Sequence, residues 1–478
     1  MTALSNRAAT SAPVASLNTP MARTGHGAAT ARVVSARALS RARQLPATPA
    51  IRPAPATIRP FTAPTAVTFN VDGISEGTSD CVDCNVPDPS AAVGTTQVAQ
   101  VANSQLAVYN KSGSQLCSDP LSSLLGTTAT LFEPRIQYDN VNSRYSMIAD
   151  IEISSLTASP AMYLAASQTN DACGSWFVYH IGFSGGSYPA GTAVRAYLGQ
   201  DRPALLFSSD NITPPGDPIN STVWSIAKSA VYSGAAVSFG SFNVAEFTEP
   251  VIVSGNPIPA TTSTYFVAAA TSPSNAGQGT GYDLYRMTNS AGPGTSLVLQ
   301  AFISSPFNVQ GNVFQSGPAV QSHGLVWFTH GFELGDFPSV RYGEINTANN
   351  TATVAEAFRS GTSDDFISSI GISDAAGGVY VWLNWVFTDT TRGVGASDTV
   401  DVLLPGQPVQ NLIGTGLVLK NSLTTSVPFD LGETSSVAID PGGPFRSLCA
   451  AGKTAVVTQE YLAADGSWAT DLARVSFC

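Results

Sequence analysis

One short phrase recurs seven times along this chain: a polar or acidic residue, then Pro or Ser, then alternating apolar residues. The copies read DPSAAVG from Asp88, EPRIQYD from Glu133, RPALLFS from Arg202, EPVIVSG from Glu249, GPAVQSH from Gly317, SSIGISD from Ser368 and SSVAIDP from Ser435, at spacings of 45, 69, 47, 68, 51 and 67 residues. A repeat of that length holds four short strands with their turns. Recurrence at this scale marks a propeller or array rather than one compact core.

Between the phrases the chain reads as strands cut by turn residues. The clearest unit runs EPRIQYD, RYSMIADIEI, AMYLAASQ and WFVYHIGF; a second runs EPVIVSG, TYFVAAATS, GYDLYRMTN and SLVLQAFIS. After SSVAIDP only TAVVTQEYLA and ATDLARVSFC remain, so the fourth strand of the last unit must come from elsewhere, and TAVTFNV from Thr65 is the candidate. Closing the ring this way removes an exposed sheet edge. The expectation is an all-β, seven-bladed β-propeller with four-stranded antiparallel blades over residues 66–478. A packed pair of β-sandwiches is the alternative.

Composition agrees with strands. Of 478 residues 43% are hydrophobic and 12% charged, with Gly 42 and Pro 31. The first 60 residues carry eight Arg and no acid, so the remainder holds 22 − 8 = 14 basic against 33 acidic residues, a balance of −19. Phosphate binding needs a basic surface, so nucleic acid is not expected as a partner. Residues 1–65, rich in Arg, Ala and Pro and without periodicity, read as a disordered leader. They lack the apolar core of a secretory signal, and an Arg-rich, acid-poor leader also suits an organelle transit peptide. The longest apolar run, VYVWLNWVF from Val379, is strand-length, so no membrane span is expected.

Six Cys, at 81, 84, 117, 173, 449 and 478, form an even set that suggests disulfides in an exported chain, with pairing left open. The CxxC of Cys81 and Cys84 reads as a small bridged loop ahead of a metal or redox site, since no second pair or neighbouring His completes a zinc set. Two turns, NDACGSW from Asn170 and ADGSW from Ala464, resemble the Asp-box of sialidase-like propellers, in which a carboxylate caps a turn and a Trp wedges between blades. The opening from Asp88 and the closing from Ser435 likewise resemble a group of bacterial secreted β-propeller proteins. That resemblance implies an extracellular propeller and no settled activity.

If each phrase begins the innermost strand, the residues at its head converge where the central channel opens. The candidates for ligand contact are Asp88, Glu133, Arg135, Asp201, Arg202, Glu249, Asp365 (beside Asp364) and Glu433. Three readings stay open. The acids cap the turns that lead into their strands; or they bind an extracellular glycan or other surface ligand, with Ca²⁺ as an optional cation and no other cofactor. In the third, two of them act as acid and nucleophile or base of a glycoside hydrolase or polysaccharide lyase. Tyr138, Tyr282, Trp327, Trp382 and Trp385 are the aromatic faces available for sugar stacking. His323 and His330 are separated by an odd number of residues, face opposite sides of a strand, and are poor joint metal ligands. No serine-hydrolase, zincin or phosphate-loop motif is present. The leading expectation is a secreted, monomeric binding protein.

Overall fold

The computed structural model describes residues 7–8 and 66–476, apart from 77–86, 152–160, 183–192, 214–216, 245–247, 271–280, 306–316, 335–336, 376–377, 423, 425–431, 433 and 443–451. It is almost entirely strand. Among the described residues, antiparallel pairing sorts the long strands into seven groups of four, the first six in chain order. We number these groups sheet 1 to sheet 7. Their first strands are Ser90–Val93, Leu131–Asp139, Ala193–Gln200, Thr248–Val253, Ala319–Ser322, Asp364–Ala375 and Ser436–Ile439.

Those first strands lie side by side in cyclic order, and that of sheet 7 returns to that of sheet 1. Two of the junctions are parallel backbone bridges, Gln200 to Ile252 and Val251–Val253 to Ala319–Gln321. A third is made by a side chain, with Ala91 N–H donating to Ser436 Oγ at 2.7 Å. The fold is a β-propeller in which sheets pack face to face around a central channel. Sheet 7 takes its fourth strand from Ala66–Ser75, antiparallel to Trp468–Ser476, as the truncated last repeat requires.

Six phrases begin a channel-side strand; RPALLFS does not. Its apolar part is Ala204–Thr213, the second strand of sheet 3, and the channel-side strand is Ala193–Gln200. Apolar alternation behind a proline encodes a strand, and its rank within the sheet depends on partners far along the chain.

The core lies between sheets. Trp176 sits in a cluster shared by sheets 1 and 2, and Trp468 in one shared by sheets 7 and 1, exposed by 2% and 1%. Both belong to the two capped turns picked out from sequence. Asp171 Oδ1 accepts from Cys173 N at 3.0 Å and from Gln97 Nε2 at 2.8 Å. Asp465 Oδ1 accepts from Ser467 N at 3.0 Å and Oγ at 2.6 Å. A disulfide joins Cys117 to Cys173 and so staples sheet 1 to sheet 2. The other four Cys lie outside the described residues. Among the described residues no helix is long and apolar enough to cross a membrane.

Candidate functional site

The seven first strands enclose one cavity of about 440 Å³, and every one of them contributes to its wall. Most of the wall is apolar, from Val93 and Ile136 through Leu198, Ile252 and Val320 to Ile370 and Val437. Polar side chains interrupt it, and several are anchored. Gln200 Nε2 donates to Tyr138 O at 2.9 Å while its Oε1 accepts from the Lys228 ammonium at 2.8 Å, and Lys228 pairs with Asp139 at 2.9 Å. Asp440 is gripped on both oxygens, by Lys111 at 2.6 Å and by Arg474 at 2.7 Å.

Others carry polar atoms that nothing among the described residues satisfies. Arg135 is 4% exposed; its Nη1 donates to Pro134 O at 3.2 Å, whereas Nε and Nη2 make no hydrogen bond. Glu133 Oε2 stands 4.0 Å from Nη2, and the guanidinium lies 5.8 Å from the Tyr197 ring centre. Gln137 donates through Nε2 to Gly199 O at 3.0 Å and leaves Oε1 without a partner. Tyr138 OH and Ser369 Oγ are likewise unbonded. Three of these four belong to the Leu131–Asp139 strand, so the wall's unmet hydrogen-bonding capacity is concentrated on sheet 2. Leaving such a group buried and unpaired costs about 1–3 kcal/mol each.

The end of the cavity toward which the strands run is bridged. The loop after Thr248–Val253 crosses it: Asn256 Nδ2 donates to Pro441 O of sheet 7 at 2.7 Å, and Ser254 Oγ to Ile372 O of sheet 6 at 2.6 Å. Asn140 of sheet 2 holds the same loop by Gly255 O at 2.7 Å and Ile258 N at 3.1 Å.

Of the residues selected from sequence, Arg135 lies on this wall and Asp88, Glu133, Asp201, Arg202, Glu249 and Asp365 do not. Glu433 lies outside the described residues. Among the described residues, none of the selected acids lines this cavity. Asp201 and Arg202 follow the first strand of sheet 3 instead of preceding it, which puts them at the opposite end. There Asp201 accepts from Ala204 N at 2.8 Å, Thr264 Oγ1 at 2.6 Å and Ser290 Oγ at 2.5 Å, and Arg202 is exposed. Asp365 accepts from Arg359 N at 2.7 Å, Trp385 Nε1 at 3.0 Å and Ser363 Oγ at 2.6 Å. Both are turn caps. Asp88 is 3% exposed and packs against Gly432, where a Cβ would come within 2.9 Å of its N and Oδ1. Glu249 is fully buried; burial pushes its carboxyl well above the usual range, Asp210 adds to the shift and Arg135 opposes it.

Of the five aromatic residues named from sequence only Tyr138 reaches the cavity; Tyr282, Trp327, Trp382 and Trp385 are core. Among the described residues no group of three or more His, Cys, Asp or Glu side chains could hold a metal ion.

No protein-family profile matches the chain, and no curated protein matches it. Solved structures do. The chain is similar to Trypanosoma rangeli sialidase in complex with the inhibitor DANA, with TM-score 0.41 and 10% identity, covering 84% of this chain and 60% of that one. It therefore spans about three fifths of the sialidase. It is also similar to the N-terminal domain of Nup159, with TM-score 0.40 and 9% identity over 86% of this chain and 97% of that one. A third is an exo-β-1,3-galactanase from Phanerochaete chrysosporium, with TM-score 0.33 and 12% identity over 66% and 81% of the two chains. These likenesses concern the fold alone.

Proposed function

We propose that residues 66–478 form a seven-bladed, exported propeller that binds a hydroxyl-rich ligand, a carbohydrate, inside its central channel and not at an acidic rim. The observation that carries this reading is the cavity of about 440 Å³ whose wall holds unpartnered polar atoms on Arg135, Gln137, Tyr138 and Ser369. A volume of that order suits a small ligand, and an apolar wall with a few convergent polar groups is the usual form of such sites. Sugars present both: C–H faces for Ile136 or Val320, hydroxyls for the unmet donors and acceptors. The charge of Arg135 is already opposed by Glu133 at 4.0 Å, which favours a neutral ligand over an anion. The Cys117–Cys173 bridge supports an oxidising compartment.

The test is a glycan array probed with the full chain, followed by calorimetry with whichever oligosaccharide is retained. Gln137→Leu and Tyr138→Phe should each weaken that affinity by about tenfold, the worth of one well-placed hydrogen bond, and Tyr138→Phe, whose hydroxyl bonds nothing in the free protein, should do so at unchanged melting temperature. Retention of no glycan, or variants that bind as wild type does, sinks the reading.

A further inference from the structure

The interface between sheets 6 and 7 is a wall of apolar side chains into which two carboxyl groups have been set. Val400 and Val402 on the strand Val394–Leu403 meet Ala473 and Val475 on Trp468–Ser476 in one cluster with Tyr380, Trp382, Ala455 and Val457. Side chains two apart share a strand face, so Asp398 continues the row of Val400 and Val402, and Asp471 that of Ala473 and Val475. Both aspartates are 0% exposed. Asn384 and Gln459 bring them together: Asn384 Nδ2 donates to Asp398 Oδ1, Gln459 Nε2 reaches Asn384 Oδ1 at 3.4 Å, and Gln459 is the cross-strand neighbour of Asp471. Two ionised carboxylates set side by side in an apolar interface repel, so a proton held between them is the stable arrangement.

Lys420 is the cation that acts on the pair, and it lowers Asp471 by less than burial and Asp398 raise it. Asn384 Nδ2 donates to Asp398 Oδ1 at 2.5 Å, but Asp398 Oδ2 and both oxygens of Asp471 have no donor side chain in hydrogen-bonding geometry. From the strand Leu417–Lys420, Lys420 faces this region, yet its ammonium is committed to Asp72 of the Ala66–Ser75 strand. Asp72 also accepts from Tyr461 OH at 2.8 Å. From the strand Thr454–Leu462, Gln459 contributes a neutral amide that donates to Ile367 O at 2.8 Å. Asp401 sits at an odd spacing from Asp398, hence on the other face, where Thr415 Oγ1 binds it at 2.6 Å.

We propose that Asp398 and Asp471 hold one proton between them and act as a pH-sensitive latch between sheets 6 and 7, beside the seam where Ala66–Ser75 closes the ring. Raising the pH sends that proton to solvent and leaves two buried carboxylates facing each other. Their repulsion loosens the interface, because both are fully buried and Lys420 is already paired with Asp72. The carboxyl values agree with this: burial raises both, and the charge of Asp398 raises Asp471 further. For groups whose folded values are raised, stability is fully present below the ordinary carboxylate range and is lost as the pH climbs through the raised values.

An amide mimics the protonated acid and cannot ionise. In thermal melts of the full chain, wild type should lose melting temperature between about pH 5 and about pH 9, and Asp471→Asn should shrink that loss by about 2–4 °C. Infrared difference spectra at neutral pH should show a protonated carboxyl C=O stretch in wild type that the variant lacks. If Asp471→Asn does not fold, Asp398→Asn gives the same readouts. The latch is overturned if the folded variant keeps the wild-type pH slope, or if no protonated carboxyl is seen. It is also overturned if calcium raises the melting temperature of wild type but not of the variant, since the pair would then hold a cation.

Discussion

At the scale of single residues, the buried acids of this chain divide by what they touch. Asp201 takes three donors at 2.5–2.8 Å and ties the turn after Gln200 to Thr264 and Ser290 of sheet 4. Asp201→Ala should therefore cost about 2–4 kcal/mol of stability, since it strands three buried donors, and leave any glycan affinity unchanged. A chemical denaturation curve beside a binding isotherm checks both halves; lost binding at intact stability would return Asp201 to the ligand site. Asp401 behaves differently. Burial pushes its carboxyl up to about 7 against the opposing Thr415, Val402 N–H and Arg359. Its folded value lies above the unfolded one, so its contribution is complete in acid and disappears as the pH rises through about 7. Asp401→Asn should be more stable relative to wild type at pH 8 than at pH 5, and equal gaps at both pH values would refute the assignment.

Among the elements, the strands were legible because each carries its own period-2 pattern and is cut by Gly, Pro, Asn or Asp. Channel-side rank was legible in six phrases, in each of which a Pro or Ser precedes the alternating apolar residues. Asp88 and Glu133 have φ of +44° and +47°, left-handed geometry that non-glycine residues rarely adopt. Ile367 repeats it at +49° ahead of Ser368. The acid in these phrases thus marks a backbone irregularity leading into the strand, which is why it looked like a functional edge. Of the cavity wall, Arg135 and Tyr138 were singled out from sequence and the rest was not. Gln137, Gln200 and Ser369 read as ordinary polar positions of alternating strands, and Asn256 as a loop residue, since only ring closure brings them together. Two element-scale ties can be tested. Removing the Cys117–Cys173 bridge, whose partners lie 56 residues apart in sequence, should cost about 2–4 kcal/mol, and an unchanged melt in the double Ser variant would dismiss it. Asn140→Ala should cost about 1–3 kcal/mol by releasing the loop at Gly255 and Ile258, read by faster amide exchange in residues 254–263.

For the whole molecule, what distinguishes a ring from an open array is that its stability depends on one closing strand. Ala66–Ser75 supplies the fourth strand of sheet 7, and its own contacts reach further than its partner Trp468–Ser476. Ile74 N donates to Gln100 Oε1 at 3.1 Å, and Ile74 O accepts from Thr470 Oγ1 at 2.8 Å, so the segment pins sheet 7 to sheet 1. Phe69 and Ile74 are buried in the cluster these two sheets share. Removing both side chains from that cluster costs about 3–6 kcal/mol and uncovers the backbone edge of Trp468–Ser476, a template for aggregation. A chain lacking residues 1–65 should melt with the full chain, whereas one lacking residues 1–75 should melt at least several degrees lower and aggregate, and a peptide spanning 66–75 added in excess should restore part of the loss. Because sheets 1 to 6 keep all their strands in the shorter chain, a local defect would leave most amide protection intact, while failure of the ring would lower protection across every sheet. Hydrogen exchange separates the two. Protection lost in sheet 7 alone, with an unchanged melting temperature, would mean that the sheets stand as an array and that the closing strand is ornamental to their stability.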